Sequence, residues 1–226
     1  TPTPLPVNLW TATPTDLPPP PTPTPDLILY SDLTATPTPT VTPTGIPPVL
    51  RGKILFLSDR LGSKDGDLMV MDPDGGNVAL WAAGSQDWIY RQAKAGQDRS
   101  PDGRYQVIVS EFRIDSYPDH KLDHYELFVV PLAEGGPPRQ LTQLTELNAM
   151  SYDAVWSPVE YRIAFVSSSS GGDEIYTIRP DASELTRLTF NDWEWDKHPS
   201  WSPDGSKLAF WSNRGTARRQ IWIMNA

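Results

Sequence analysis

One short strand is written four times along this chain, and that repetition limits the fold more than any other feature. The copies are Leu55-Phe56-Leu57-Ser58, Val107-Ile108-Val109-Ser110, Ala164-Phe165-Val166-Ser167 and Ala209-Phe210-Trp211-Ser212. Their serines lie 52, 57 and 45 residues apart, a period that accommodates one small antiparallel sheet per repeat, as in a β-propeller blade. Each copy is followed by a second apolar run: Asp67-Leu68-Met69-Val70-Met71, Glu126-Leu127-Phe128-Val129-Val130, Glu174-Ile175-Tyr176-Thr177-Ile178 and Gln220-Ile221-Trp222-Ile223-Met224. β-branched and aromatic residues dominate these runs, so both series read as strands.

Turn chemistry separates the strands. In Ser202-Pro203-Asp204-Gly205 and Ser100-Pro101-Asp102-Gly103, proline presets φ near −65° and glycine accepts the left-handed conformation that a hairpin turn needs. Asp72-Pro73-Asp74-Gly75-Gly76 marks a further turn, and Leu141-Thr142 and Leu188-Thr189 supply short outer strands.

These residues resemble the TolB-like propeller repeat, with its Trp-Ser-Pro-Asp-Gly turn, a strand ending in Ser, then Ser-x-Arg-x-Gly and a closing Leu-Thr. The stretch from Pro199 to Asn225 carries it most fully, including Ser212-Asn213-Arg214-Gly215, and Ser58-Asp59-Arg60 repeats part of it in blade 1. Arg99 stands where Trp is expected in blade 2, and Val159-Glu160 replaces Asp-Gly in blade 3, so altered turns are expected there. The resemblance implies an all-β fold of about four blades over residues 51–226. Blade 4 then stops after three strands, and blade 1 has at most a short first strand at Ile46-Pro47-Pro48-Val49-Leu50. The ring is expected to be open at both ends or completed by an added strand.

Residues 1–50 differ sharply in composition, with 13 Thr, 15 Pro, three Asp and no Lys or Arg. Alternating Thr and Pro favours an extended, polyproline-II-like stalk. The composition fits an O-glycosylated stalk, with Thr22, Thr24, Thr36, Thr38, Thr40 and Thr42 the best-placed acceptors; a plain solvated linker is the alternative. Two strand-like islands interrupt it, at residues 5–10 and 26–33. Leu27, Ile28, Leu29, Tyr30 and Leu33 of the second island are expected to add as a strand to the outer position of blade 4, within one chain or between copies as a fibre.

The formal net charge is −9, which argues against a nucleic-acid binder that must neutralise phosphates with clustered cations. No apolar run reaches the roughly 18 residues of a membrane-spanning helix. The first residue is Thr rather than Met, an expectation of a processed, exported product, and the Thr/Pro tract resembles linkers of bacterial cell-surface proteins. With no cysteine, disulfides and thiolate metal sites are excluded.

His120 and His124 have a metal-binding spacing only if helical, and lie in an insertion opened by Tyr117-Pro118 that reads as a hairpin loop. Asp72, Asp74 and Asn77 fail calcium-loop spacing after Gly75 and read as a turn. No cofactor is expected. The absence of a Gly-x-Ser-x-Gly elbow argues against a serine hydrolase in this chain. The binding candidates are Trp193, Trp195, Asp196 and His198 in the loop Asn191-Asp192-Trp193-Glu194-Trp195-Asp196-Lys197-His198, which leads into the innermost strand of blade 4 and could anchor a protein or stack on a sugar. The expected function is a non-catalytic, extracellular or cell-surface interaction and scaffold module. Its alternatives are a carbohydrate-binding propeller and the propeller part of a larger peptidase or hydrolase.

Overall fold

The computed structural model describes residues 47–64, 66–83, 94–112, 124–132, 136–144, 149–215 and 218–226. Both N-terminal islands, the six threonine acceptors and His120 lie outside these residues. Four antiparallel sheets follow one another along the chain. Blade 1 holds β1 (Ile54–Ser58), β2 (Asp67–Met71) and β3 (Ala79–Ala82). Blade 2 holds β4 (Tyr105–Phe112), β5 (His124–Pro131) and β6 (Arg139–Gln140). Blade 3 has four strands, β7 (Ser151–Trp156), β8 (Ile163–Ser167), β9 (Glu174–Ile178) and β10 (Thr186–Arg187). Blade 4 holds β11 (Asp196–Trp201), β12 (Lys207–Ser212) and β13 (Gln220–Asn225).

Of the expected first strand at Ile46–Leu50, the described residues 47–50 form no strand. Pro48–Leu50 is a 3-10 turn instead, closed by Leu50 N donating to Pro47 O at 2.9 Å and Arg51 N to Pro48 O at 3.1 Å. Two adjacent prolines supply no ladder donors, which bars a central strand here. In blade 2 the innermost strand shrinks to one bridge, Arg99 with Gln106. Arg99 is exposed, where Trp156 of blade 3 is buried between blades.

A blade is covered on both sides, so its middle strands are apolar on both faces, and every residue of β8 and β9 is buried. One face meets blade 2 through Ile163, Phe165, Tyr176 and Ile178 against Val107, Leu127, Val129 and Leu141. The other meets blade 4 through Ala164, Val166 and Ile175 against Leu208 and Phe210. Burying one such side chain contributes about 1.5–3 kcal/mol, and the two clusters, one on each face of the blade 3 sheet, tie blades 2 to 4 together. Blade 1 has a separate, smaller cluster of Phe56, Met69 and Met71, on which Ile54 and Ile221 of blade 4 pack. The last blade therefore touches the first. Across the centre, Gln97 Nε2 of blade 2 donates to Ser200 Oγ of blade 4 at 3.3 Å.

The turns repeat at the level of single bonds. Ser100 Oγ donates to Asp102 at 2.6 Å and accepts Tyr105 N at 3.0 Å; Ser202 Oγ donates to Asp204 at 2.6 Å and accepts Lys207 N at 3.0 Å. In blade 3, lacking the Asp, Ser157 Oγ accepts Val159 N and Glu160 N at 3.4 Å. The turn is altered there while the strands persist. Trp222 holds the register that buried Tyr176 holds in blade 3, yet it is 38% exposed on the outermost strand of its sheet, with the Arg214 guanidinium 4.9 Å above its ring.

Candidate partner-binding face

The loop from the outer strand of blade 3 to the inner strand of blade 4 is held from beneath by a buried carboxylate. Glu174, the first residue of β9, is fully buried. It accepts hydrogen bonds from Arg187 at 3.0 Å, Asn191 N at 2.6 Å, Asn191 Nδ2 at 3.2 Å and the Thr189 hydroxyl. Asn191 Nδ2 also donates to Asp196 at 2.8 Å, and Arg214 pairs with the same Asp196 carboxylate. Trp195 N donates to Asn213 Oδ1 at 2.7 Å, and Asp196 N to Asp173 O at 2.8 Å. A buried carboxylate with several donors is stable only when nearly all are placed, so the lattice fixes the loop backbone.

Above that lattice the loop turns aromatic side chains outward. Trp193 is 89% exposed, Phe190 72% and Trp195 49%. Cations brace two of them: Arg187 lies 4.8 Å from the Phe190 ring, and Lys197 lies 5.3 Å from Trp195. Lys197 also pairs with Asp173 at 2.7 Å and sits 5.4 Å from the Tyr152 ring. Burial and the hydrogen bond with Asp173 push the Tyr152 hydroxyl well above the usual phenol range, so it stays neutral. Single exposed hydrophobics are ordinary, but here three large aromatics are exposed within six residues of one pinned loop.

The sequence candidates divide. Trp193 and Trp195 stand on the exposed face. Asp196, expected among the contact residues, is fully buried, because Arg214 and Asn191 draw its carboxylate inward; its part is to shape the loop. His198 sits past it at a bulge of the inner strand, with Nδ1 2.8 Å from Asp153 Oδ2 and its ring 6.1 Å from that of Trp211. The bulge residues of blades 3 and 4, Asp153 and His198, have φ of 52° and 53°, a conformation costly for a residue with a Cβ. Gly96 takes the same place in blade 2 with φ 83°. Sequence reasoning missed Phe190 and the Glu174 lattice; the signal for the lattice is the acid opening the third strand together with the Leu-Thr downstream, in both blade 2 and blade 3.

Other candidates resolve as structure. Asp72 pairs with Lys53 and accepts from Asn77 at 2.6 Å, while Gly75 N bonds to Asp72 O and Asp72 N to Gly76 O, each at 2.9 Å. The Lys53 contact holds the Asp72 carboxyl below its usual range. His124 opens a strand rather than lying on a helix. Among the described residues, no three His, Cys, Asp or Glu are grouped as metal ligands, and no helix is long and apolar enough to cross a membrane. On the opposite face, a hollow of about 270 Å³ lies among Tyr105, Pro131, Pro137, Tyr161 and Pro180.

Residues 42–226 match the TolB beta propeller domain. The chain belongs to that family. A TolB homolog of Chlorobium luteolum is 33% identical over 182 residues, which are 80% of this chain and 36% of the relative. The chain thus spans about a third of that curated TolB relative. Among solved structures, a putative TolB from Agrobacterium tumefaciens aligns with a TM-score of 0.45 at 18% identity, over 77% of this chain and 57% of that one. A puromycin-hydrolyzing peptidase of Mycobacterium tuberculosis aligns with 0.43 at 18%, over 75% and 27%.

Proposed function

We propose that this TolB-family propeller is a non-catalytic interaction and scaffold module of the bacterial cell exterior, meeting its partner through the Phe190, Trp193 and Trp195 face. The observation that carries this reading is an aromatic surface prepared before any partner arrives. Exposed tryptophans on a backbone already fixed by Glu174 and Asp196 lose little further entropy on binding. The test is Trp193→Ala with Trp195→Ala. Both side chains project away from the core, so the melting temperature should hold while capture of partners from an envelope extract, identified by mass spectrometry, is lost. Unchanged capture refutes the assignment, and collapse of the fold makes the tryptophans structural.

Carbohydrate is the second reading, favoured by Trp193 standing free beside Asn191, Asp192 and Glu194, a flat apolar ring with polar neighbours. Glycan-array binding lost in the same double variant would select it. The Thr/Pro tract serves as the stalk, with O-glycans at Thr22, Thr24, Thr36, Thr38, Thr40 and Thr42, which mass spectrometry of residues 1–50 would report. Its second island supplies a strand through Leu27, Ile28, Leu29, Tyr30 and Leu33. Passed between copies such a strand builds a fibre, and kept within one copy it closes the ring. Support comes from β13, whose outer side carries no strand among the described residues; sedimentation with and without residues 1–33 tests it.

A further inference from the structure

Three rings around the aromatic face carry the same arrangement: an acid, a cation paired with it, and a ring under the cation. Arg187 pairs with Glu174 at 3.0 Å and lies 4.8 Å from the Phe190 ring. Lys197 pairs with Asp173 at 2.7 Å and lies 5.3 Å from Trp195. Arg214 pairs with Asp196 and lies 4.9 Å from Trp222. The negative π face of a ring attracts a cation, and a carboxylate beside it holds the cation in place. The pattern has a local cause. Asp173 and Glu174 stand at the start of β9 and Asp196 at the start of β11, so the carboxylates gather where the loop presents its rings.

Trp193 has every member of this arrangement except the cation. Its ring is 89% exposed, and among the described residues no cation lies over it. Asp192 and Glu194 flank it in sequence, and among the described residues neither is in an ion pair. Glu194 Oε2 accepts Trp193 N at 3.4 Å, which keeps one carboxylate beside the ring's own backbone. The other cations of this end of the molecule are engaged elsewhere. Protonated or not, His198 faces Asp153, and Arg219 lies 5.0 Å from Trp211, whose neighbour Ile221 meets blade 1. Beneath the loop, Asp196 Oδ1 is buried with no donor among the described residues. The loop and its seat therefore stay short of positive charge.

We propose that the partner supplies the missing cation: an arginine of a basic segment stacks on Trp193 and is held by Asp192 and Glu194. This rests on the aromatic face being the binding surface, as argued above, and names the chemistry of what it binds. Tryptophan is the best ring for a cation. Arginine fits better than lysine because a planar guanidinium lies on a ring while its edge bonds a carboxylate, as Arg187 and Arg214 do within this chain. A sugar also stacks on such a ring but brings no charge to the two acids. The net charge of −9 adds a long-range pull on a basic segment.

The probe is hexa-arginine, titrated calorimetrically into the full chain, with hexa-lysine and hexa-glutamate beside it. Hexa-arginine should bind, hexa-lysine more weakly and hexa-glutamate not at all. Asp192→Asn with Glu194→Gln should weaken hexa-arginine about tenfold at low salt, and Trp193→Ala by about threefold. Both variants change exposed side chains and should keep the parent's melting temperature. Asp59→Asn with Asp74→Asn removes the same charge from exposed positions of blade 1 and should leave binding within about twofold. Equal losses in the two charge variants overturn the proposal in favour of diffuse attraction, as does failure of hexa-arginine to bind, or glycan-array binding that the Asp192 and Glu194 changes leave intact. Capture of envelope partners separates it from the reading beneath it. Capture lost with Trp193→Ala and Trp195→Ala but kept without the two acids leaves the aromatic face standing and removes the arginine, while capture that survives loss of both tryptophans removes both.

Discussion

Replacing Glu174 by Ala tests whether the buried lattice holds the aromatic face. The carboxylate is fully buried and takes donors from Arg187, Thr189 and both nitrogens of Asn191. Removing one partner of a buried ionic network costs about 3–5 kcal/mol. Arg187, with 26% of its side chain exposed, can regain water, which places the loss near the lower end, about 3–4 kcal/mol. For a chain of this length each kcal/mol moves the midpoint by about 2–4 °C, so the expected fall is roughly 6–16 °C, followed by circular dichroism and guanidinium titration. Glu174→Gln keeps the shape and the Thr189 bond but sets an amide against Arg187, and should cost about half as much. The loop should also come free, raising protease cleavage beside Trp193 at temperatures where the blades remain folded. A Glu174→Ala protein that melts within 2 °C of the parent would refute the reasoning.

Phe165→Ala removes a fully buried ring stacked 5.8 Å from Tyr176 and should cost about 3–5 kcal/mol by denaturant titration. Gly205→Ala forces a Cβ onto φ +71° and to 2.3 Å from Val159 Cγ2. The conformational part, about 1–2 kcal/mol, should persist when Val159→Ala relieves the contact. Donors from Ser202 and Ser206 hold the Asp204 carboxyl at about 2, and Ser100 with Tyr161 does the same for Asp102. These pKa values are lowered on folding, so their stabilisation is full above about pH 4 and is lost as pH falls towards 2; Asp204→Asn should flatten that part of the acid-unfolding curve.

The middle strands of each blade were legible because a sheet buried on both faces must be apolar at consecutive positions, as β8 and β9 are. Their turns were legible too, since Ser-Pro-Asp-Gly fixes a backbone almost by itself. Leu50 misled: it is buried and follows Val49, but Pro47 and Pro48 forbid the ladder that the pattern invites. Trp222 shows a different limit of local pattern: its register matches buried Tyr176, but its strand is the outermost of its sheet among the described residues. At the candidate site, exposed Trp193 and Trp195 could be guessed from a polar loop. The inward pull on Asp196 could not, because it comes from Arg214, 18 residues away, and local pattern carries no record of such a partner.

Blade 1 rests on its own cluster of Phe56, Met69 and Met71, apart from the core shared by blades 2 to 4. A pull on the chain at Pro47 would reach this smallest core first. The aromatic face, rooted in blades 3 and 4, would feel that load last. The blade that yields first to a pull at Pro47 is thus one that carries none of Phe190, Trp193 and Trp195.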